Sequence, residues 1–407
     1  MLNTETVTPG VSFATDEPAK EALAERTRAA VEAAAQHAAD VDLNGRFPTE
    51  SFEAIRANRL LGAMVPAHLG GEGLSLAQVA DICFALGRAC GSTALIFAMH
   101  QVKVACLIRH HGGSTWQLNF LRRVASEQLL LGSSTTEGKA GGAVRSSSAP
   151  IEPDGQGVRL LRAATVVSYG EQADAIVTTA RRNPDAAAAD QVLAVFLRED
   201  YRLERTGGWN TLGMRGTCSM AFGLEARGQS EQVLAAPYAE IHARTMTPAA
   251  HLLWGAVWAG IAAEAVERAR LHMRKAMRGA GDQSPPGAGH LPRAKTTLQS
   301  LVGLLSGALA RYAAIGDDAA ALEALDYQAS VSMLKVQASE LAVSTVMSAM
   351  QACGLAGYRN DGDASVGRLL RDVLSAPLMI SNDRILADLQ AAALMDRGPA
   401  SLSGGAI

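Results

Sequence analysis

Side chains with chemistry to offer are spread thinly along this chain. Five cysteines, Cys83, Cys90, Cys106, Cys218 and Cys353, form no CxxC pair, and His110-His111 has no partner at metal-ligand spacing. No metal site is therefore expected, and the thiols read as buried groups in a reducing compartment. The paired basics Arg122-Arg123 and Arg181-Arg182 are too short for a polyanion patch, and a formal charge of -3 over 407 residues gives no electrostatic reason to expect nucleic acid. What remains are hydroxyls in short motifs, Thr135-Thr136 in TTEG and Ser168 in VVSYG, and the glycines Gly354 and Gly357 in QACGLAGY. Taken singly, the hydroxyls read as turn or strand groups and the glycines as helix stops.

Such residues act only where larger elements bring them together. At 48% hydrophobic and 19% charged, the chain can bury a large core and is expected to hold two or three packed segments, not a disordered or fibrous one. From Glu17 to about Leu130 the apolar residues recur at helical spacing, broken by Pro and Gly at FPTES, VPAHLGGEG and HHGG. From Leu131 the texture changes to β-branched runs between polar turns (GVRLLRAATVVSYG, ADAIVTTARR, QVLAVFLRED, GTCSMAFGLEAR), which predicts an antiparallel β domain. After Ala243 helical spacing returns as far as Asp396, with Thr247-Pro248 predicted as an N-cap and first-turn proline and with a four-helix arrangement to follow. The boundaries are set at 1–130, 131–242 and 243–407. RGAGDQSPPGAGHLP reads as a long flexible loop, and the tail after Arg397 as frayed. The polar N-terminus has no apolar signal core, and the longest apolar stretch, Leu252 to Ala263, is shorter than a bilayer span, so a soluble cytoplasmic protein with no membrane span is expected. A cleft where the β domain meets helical walls is the natural ligand site.

The motifs TTEG (Thr135–Gly138), VVSYGEQADAIVTTAR (Val166–Arg181), GWNTLGMRGTCS (Gly208–Ser219) and QACGLAGY (Gln351–Tyr358) with GRLLRD (Gly367–Asp372) together resemble the acyl-CoA dehydrogenase family, in order and spacing, over almost the whole chain. The resemblance implies a mainly α flavoprotein with an N-terminal helical domain, a middle antiparallel β domain and a C-terminal four-helix bundle, assembled as a homodimer or homotetramer. It implies FAD between the β domain and the bundle. Thr135, Thr136, Val166 and Ser168 would neighbour the isoalloxazine, while Gln351, Gly354 and Gly357 would approach the adenosine diphosphate of the adjacent subunit's FAD. Arg215 and the Arg371-Asp372 pair are read as structural.

The sequence also departs from the family. Desaturation of an acyl thioester needs a carboxylate base for the α-proton and donors at the thioester carbonyl. The usual glutamate triplet falls on Ile380-Ser381-Asn382, and a second subgroup's glutamate and arginine positions fall on Ala250 and His251. His251 is of the right chemical type for a base, the alternative being a helix residue whose nitrogens meet a carbonyl or water. Asp383 stands as a substitute against a capping role, and Ile380 would still offer a backbone N–H to a thioester. Small residues at Gly142 and Val166 would open space beside the ring. The Trp254 and Trp258 stripe reads as bundle core, or as a wall that narrows the acyl pocket if it faces the cleft.

Three functions are therefore carried forward. The first is an FAD-dependent α,β-desaturase of an acyl-CoA or carrier-protein thioester, passing electrons to an electron-transfer flavoprotein. The second is a monooxygenase of the same fold, supplied with reduced flavin by a separate reductase and acting on an aromatic, amine or sulfur substrate with oxygen. The third is a thioester-binding descendant without redox chemistry.

Overall fold

Helical spacing in the first third becomes five α-helices in the computed structural model, which describes residues 17–137, 146–279 and 283–395. They are α1 (Glu17–Asn44), α2 (Thr49–Ala57), α3 (Leu76–Ala89), α4 (Gly91–His110) and α5 (Thr115–Glu127). Ser75 opens α3 with a capping box to Gln78, and Ser114 caps α5 through the Gln117 N–H, which satisfies donors that a helix start leaves open. Gly142 and the tail after Arg397, both singled out in the sequence, lie outside the described residues.

Seven strands follow: β1 (Leu131–Ser134), β2 (Ile151–Asp154), β3 (Gly157–Val167), β4 (Ala175–Arg181), β5 (Gln191–Leu197), β6 (Tyr201–Arg205) and β7 (Met220–Gln229). They form a three-stranded sheet, β1-β4-β5, and a four-stranded antiparallel sheet, β2-β3-β7-β6. One pairing differs from the antiparallel expectation. β1 runs parallel to β4, Leu131 opposite Ala175, because the β2–β3 hairpin lies between them in sequence and gives the chain room to cross over.

Residues alternate faces along β4 and β5. Ala175, Val177, Leu193 and Val195 join the helical core, whereas Ile176, Ala180, Val192, Ala194 and Phe196 pack on the second sheet. The first sheet is thus covered on both faces, which is why both strands read as near-continuous apolar runs.

The helical last third holds α6 (Tyr238–Ile241), α7 (Thr247–Gly279), α8 (His290–Ile315), α9 (Ala319–Glu323), α10 (Leu325–Cys353), α11 (Leu355–Tyr358), α12 (Gly367–Val373) and α13 (Asn382–Met395). α7, α8 and α10 pack together, with α13 against α10. Thr247 opens α7 but is not its N-cap, contrary to the sequence prediction. A π turn, His242–Met246, joins α6 to α7, and Thr247 itself is helical (φ -68°, ψ -49°). The wider hydrogen-bond step of that turn accommodates a proline that has no N–H to give.

α3 and α7 cross closely. A Cβ on Gly87 would stand 2.5 Å from the Val257 carbonyl oxygen and one on Gly260 2.2 Å from that of Phe84, so this crossing requires both glycines. Three helical stretches among the described residues are long and apolar enough to cross a membrane, which differs from the reading by continuous apolar runs because Ala, Gly and Ser dilute those runs without adding charge. In two of them the apolar window is 89% and 83% buried inside the protein, whereas that of α8 is 11% buried.

Candidate functional site

A cavity of about 580 Å³ opens where the first sheet, α4, the π turn, α7 and the segment around residues 371–380 meet. Its size is that of an ordinary cofactor or substrate pocket. Leu95, Met99, Val102 and Trp254 give it apolar walls.

The flavin-side residues of the sequence reading converge here. Thr135, Thr136, Val166 and Ser168 all line the cavity, with Ser133 beside them. β1, which leads into Thr135 and Thr136, is clamped at its start by buried groups. The Leu131 N–H donates to His100 Nδ1 (3.0 Å), and the Tyr169 hydroxyl donates to the Leu131 carbonyl (2.9 Å). Just beyond the threonines, buried Glu137 accepts hydrogen bonds from Ser147 (2.5 Å) and the Ser148 N–H (2.7 Å) and pairs with Arg162 (2.8 Å). Burial raises the Glu137 pKa, but these hydrogen bonds and the Arg162 charge outweigh it and leave the carboxylate ionised.

The GTCS segment adds a row of hydroxyls that the sequence reading did not assign. Ser168 Oγ lies 2.7 Å from Ser219 Oγ, Ser219 lies 2.7 Å from Thr217 Oγ1, and Thr217 donates to the Met214 carbonyl (2.9 Å). Because Thr217 spends its proton on Met214, Ser219 donates to Thr217. Ser168 must then donate to Ser219, and as the end of the row it is left to accept a hydrogen bond from a ligand. Four of the six described non-glycine residues with positive φ lie in or next to this wall: Tyr169, Met214, Cys218 and Ile380. Such strain concentrates at functional sites.

The candidates for the missing base are placed differently. His251 lines the cavity from α7, 3% exposed, and its Nδ1 donates to the Val331 carbonyl (2.9 Å). Burial, aided by the nearby Lys335 charge and opposed by that hydrogen bond, pushes its pKa down to about 4. Ile380 also lines the cavity, at φ 53°, and its carbonyl accepts from Lys335 Nζ (2.6 Å). Asp383 stays exposed in the first turn of α13, away from the cavity. Its neighbour Asn382 turns inward instead, to Lys335 (2.7 Å) and Ser339 (3.0 Å).

Gln351 and Gly354, at the end of α10, and Gly357, in α11, lie outside the cavity, with Gln351 and Gly354 exposed and Gly357 buried. Trp254 faces the cavity, but Trp258 is fully buried behind it, 5.8 Å from Lys335 Nζ. Arg215 ties the loop to α1 through the Asp42 carbonyl (2.7 Å), and Asp372 accepts from the Met214 N–H (2.7 Å). Lys103, passed over in the sequence, lines the cavity from α4. Its signal was a lysine inside the apolar run LIFAMHQVKVACLI.

The acyl-CoA dehydrogenase N-terminal domain model matches residues 17–128 and the acyl-CoA dehydrogenase C-terminal domain model matches residues 243–395, together more than half of the chain. The cyclohex-1-ene-1-carbonyl-CoA dehydrogenase of Geobacter metallireducens is 25% identical over 368 residues, 89% of this chain and 93% of that protein. The L-evernosamine nitrososynthase of a Micromonospora species is 32% identical over 192 residues, 46% of this chain and 45% of its own length, so the match spans less than half of that enzyme. Among solved structures, FMN-bound TdsC from Paenibacillus sp. A11-2 superposes with a TM-score of 0.78 at 19% identity, covering 95% of this chain and 100% of that one. KijD3 in complex with dTDP superposes with a TM-score of 0.79 at 22% identity, covering 94% and 99%. With more than half of the chain matched by the two models, the chain belongs to the acyl-CoA dehydrogenase family.

Proposed function

We propose that the protein is a flavin-dependent monooxygenase, using reduced flavin and oxygen, and that desaturation of an acyl thioester is the second reading. One observation carries this: no Asp or Glu is found among the described residues lining the cavity. α-Proton abstraction from a thioester depends on a positioned base of adequate pKa. The two positions that hold the family's glutamate are Ile380 and Ala250, and His251, with its pKa near 4, is a weak base at neutral pH.

The residues present fit an isoalloxazine ring. Apolar walls suit its faces, and Thr135, Thr136, Ser168 and the backbone beside them offer hydrogen bonds to its polar edge. When bound and reduced, flavin with oxygen supplies one oxygen atom to a substrate, the second leaves as water, and the flavin returns oxidised. The chain's own part is to hold the ring along β1, to orient the substrate against it, and to keep bulk water out with Leu95, Met99 and Trp254.

The kinship with nitrososynthases and with a structure described as dibenzothiophene monooxygenase supports this reading and points to an amine, sulfur or aromatic substrate. A separate flavin reductase is the proposed electron source. FMN would satisfy the cavity, whereas contacts at Gln351, Gly354 and Gly357 would belong to FAD in a homo-oligomer. The exposed apolar side of α8, with Val302 40% exposed, is the proposed face for a second copy.

The test supplies reduced FMN or FAD from a reductase under ¹⁸O₂ with a panel of aromatic, amine and thioether compounds. One labelled oxygen per product molecule is expected. Unlabelled panel compounds throughout, with reduced flavin merely reoxidised, would overturn the reading.

A further inference from the structure

Lys103 is the charged group in the cavity that the fold leaves without a counter-charge. It follows Leu95, Met99 and Val102 on the cavity face of α4 and is 4% exposed. Among the described residues its Nζ reaches one hydrogen-bond partner, the Met246 thioether at 3.6 Å, which is a weak acceptor. The other fully buried lysine shows what a satisfied ammonium looks like in this fold: Lys335 Nζ has the Ile380 carbonyl at 2.6 Å and Asn382 Oδ1 at 2.7 Å. Burying a charge without such partners is unfavourable, so a chain that keeps one against an open cavity has a ligand group to meet there.

The surroundings say what that group is. Arg371, the other permanent cation lining the cavity, is already paired with Asp42 (2.8 Å), and no described lining residue is acidic. Lys103 therefore sets a positive potential that nothing in the wall cancels. Burial pushes its ammonium down only to about 8, so it remains largely protonated at neutral pH. A single ammonium suits a singly charged carboxylate better than a phosphate dianion, which demands more donors.

We propose that Lys103 binds the carboxylate of the substrate, with an apolar, oxidisable body extending from it across the cavity toward the hydroxyl wall at Thr135, Thr136 and Ser168. The proposal rests on the monooxygenase reading and narrows its substrate to organic acids.

The test compares 4-phenylbutyrate with its neutral amide, 4-phenylbutanamide, by calorimetry at pH 7 on the flavin-saturated protein and on Lys103→Met and Lys103→Gln. The wild type is expected to prefer the carboxylate by roughly ten-fold or more, the scale of a charge-assisted contact. Both variants are expected to lose that preference and to keep the amide affinity within about two-fold. Lys103→Met removes an unpaired buried charge and is expected to melt no lower than the wild type. A wild type with no carboxylate preference, including one with no measurable carboxylate binding at millimolar concentration, overturns the proposal. So does a variant that retains the preference. The labelled-oxygen assay is read separately: a preference that depends on Lys103, in a protein that transfers no oxygen, leaves the carboxylate subsite standing and removes the monooxygenase reading.

Discussion

His251 Nδ1 stands 2.9 Å from the carbonyl oxygen of Val331, so helix α10 fixes the tautomer of an imidazole on α7. The proton sits on Nδ1, and burial holds the ring neutral, with a pKa near 4. The resulting group is a hydrogen-bonding wall residue with little capacity to take a proton. His251→Gln is expected to leave the shape of the pH–rate profile between pH 5 and 8 unchanged. It is also expected to cost about 1–3 kcal/mol of stability by loosening the Val331 contact. A wild-type inflection near pH 6–7 that vanishes in the variant would contradict the neutral-imidazole assignment.

Three buried histidines shape the response to acid. Desolvation pushes His100, His110 and His251 each down to about 4, from an ordinary value of 6.5. The unfolded chain therefore binds more protons than the folded one between those limits. The stability they contribute is fully present above pH 6.5 and is lost as pH falls toward 4. Buried Asp372, raised to about 6 by desolvation, works in the opposite sense below pH 6, leaving a net of two groups. Urea unfolding is expected to lose about 2–3 kcal/mol per pH unit between pH 6 and 4.5. A flat profile there would mean the imidazoles titrate in the folded state.

Gly213 presses on the backbone of the Arg371-Asp372 segment. A Cβ at that position would lie 2.0 Å from the Arg371 carbonyl oxygen and 2.6 Å from the Asp372 nitrogen. Neither atom is a movable side-chain end. Gly213→Ala is expected to lower stability by about 3 kcal/mol or more and to weaken flavin binding, because Gly213, Met214 and Arg371 all line the cavity. Thermal melting with and without flavin checks both effects.

Lys335 positions Ile380, a non-glycine residue held at φ 53°. Lys335→Met is expected to reduce turnover by about ten-fold or more while flavin affinity changes little, since the residue touches Ile380 and Asn382 and does not line the cavity. An equal loss in flavin affinity would show that the lysine supports the fold generally.

Much of the scaffold was legible because its signals are local. Periods of 3.6 and 2 marked the helical and strand segments, and β4 and β5 showed as apolar runs because both faces are covered. The parallel pairing of β1 was hidden because register across a long crossover leaves no trace in four residues. Thr247 imitated an N-cap because the π turn that leads into α7 has no composition of its own. At the site, TTEG and VVSYG named residues that the fold brings to one wall. Whether Asn382 or Asp383 turns inward depended on Lys335, 47 residues away. Lys103 was hidden for the same reason: a lysine in an apolar helix announces burial, but only tertiary packing shows whether it meets a carboxylate or a cavity.

The central claim is that the described wall of this cavity lacks the carboxylate base for desaturation. It is tested most directly by loading the protein with flavin, excluding oxygen, and adding short, medium and branched acyl-CoA thioesters while following the visible flavin absorption. No bleaching is expected with any of them beyond the rate of the protein-free control. Rapid bleaching by one thioester, with the matching enoyl product, would contradict the account and require a proton acceptor other than a carboxylate of the described cavity wall, such as the lining His242.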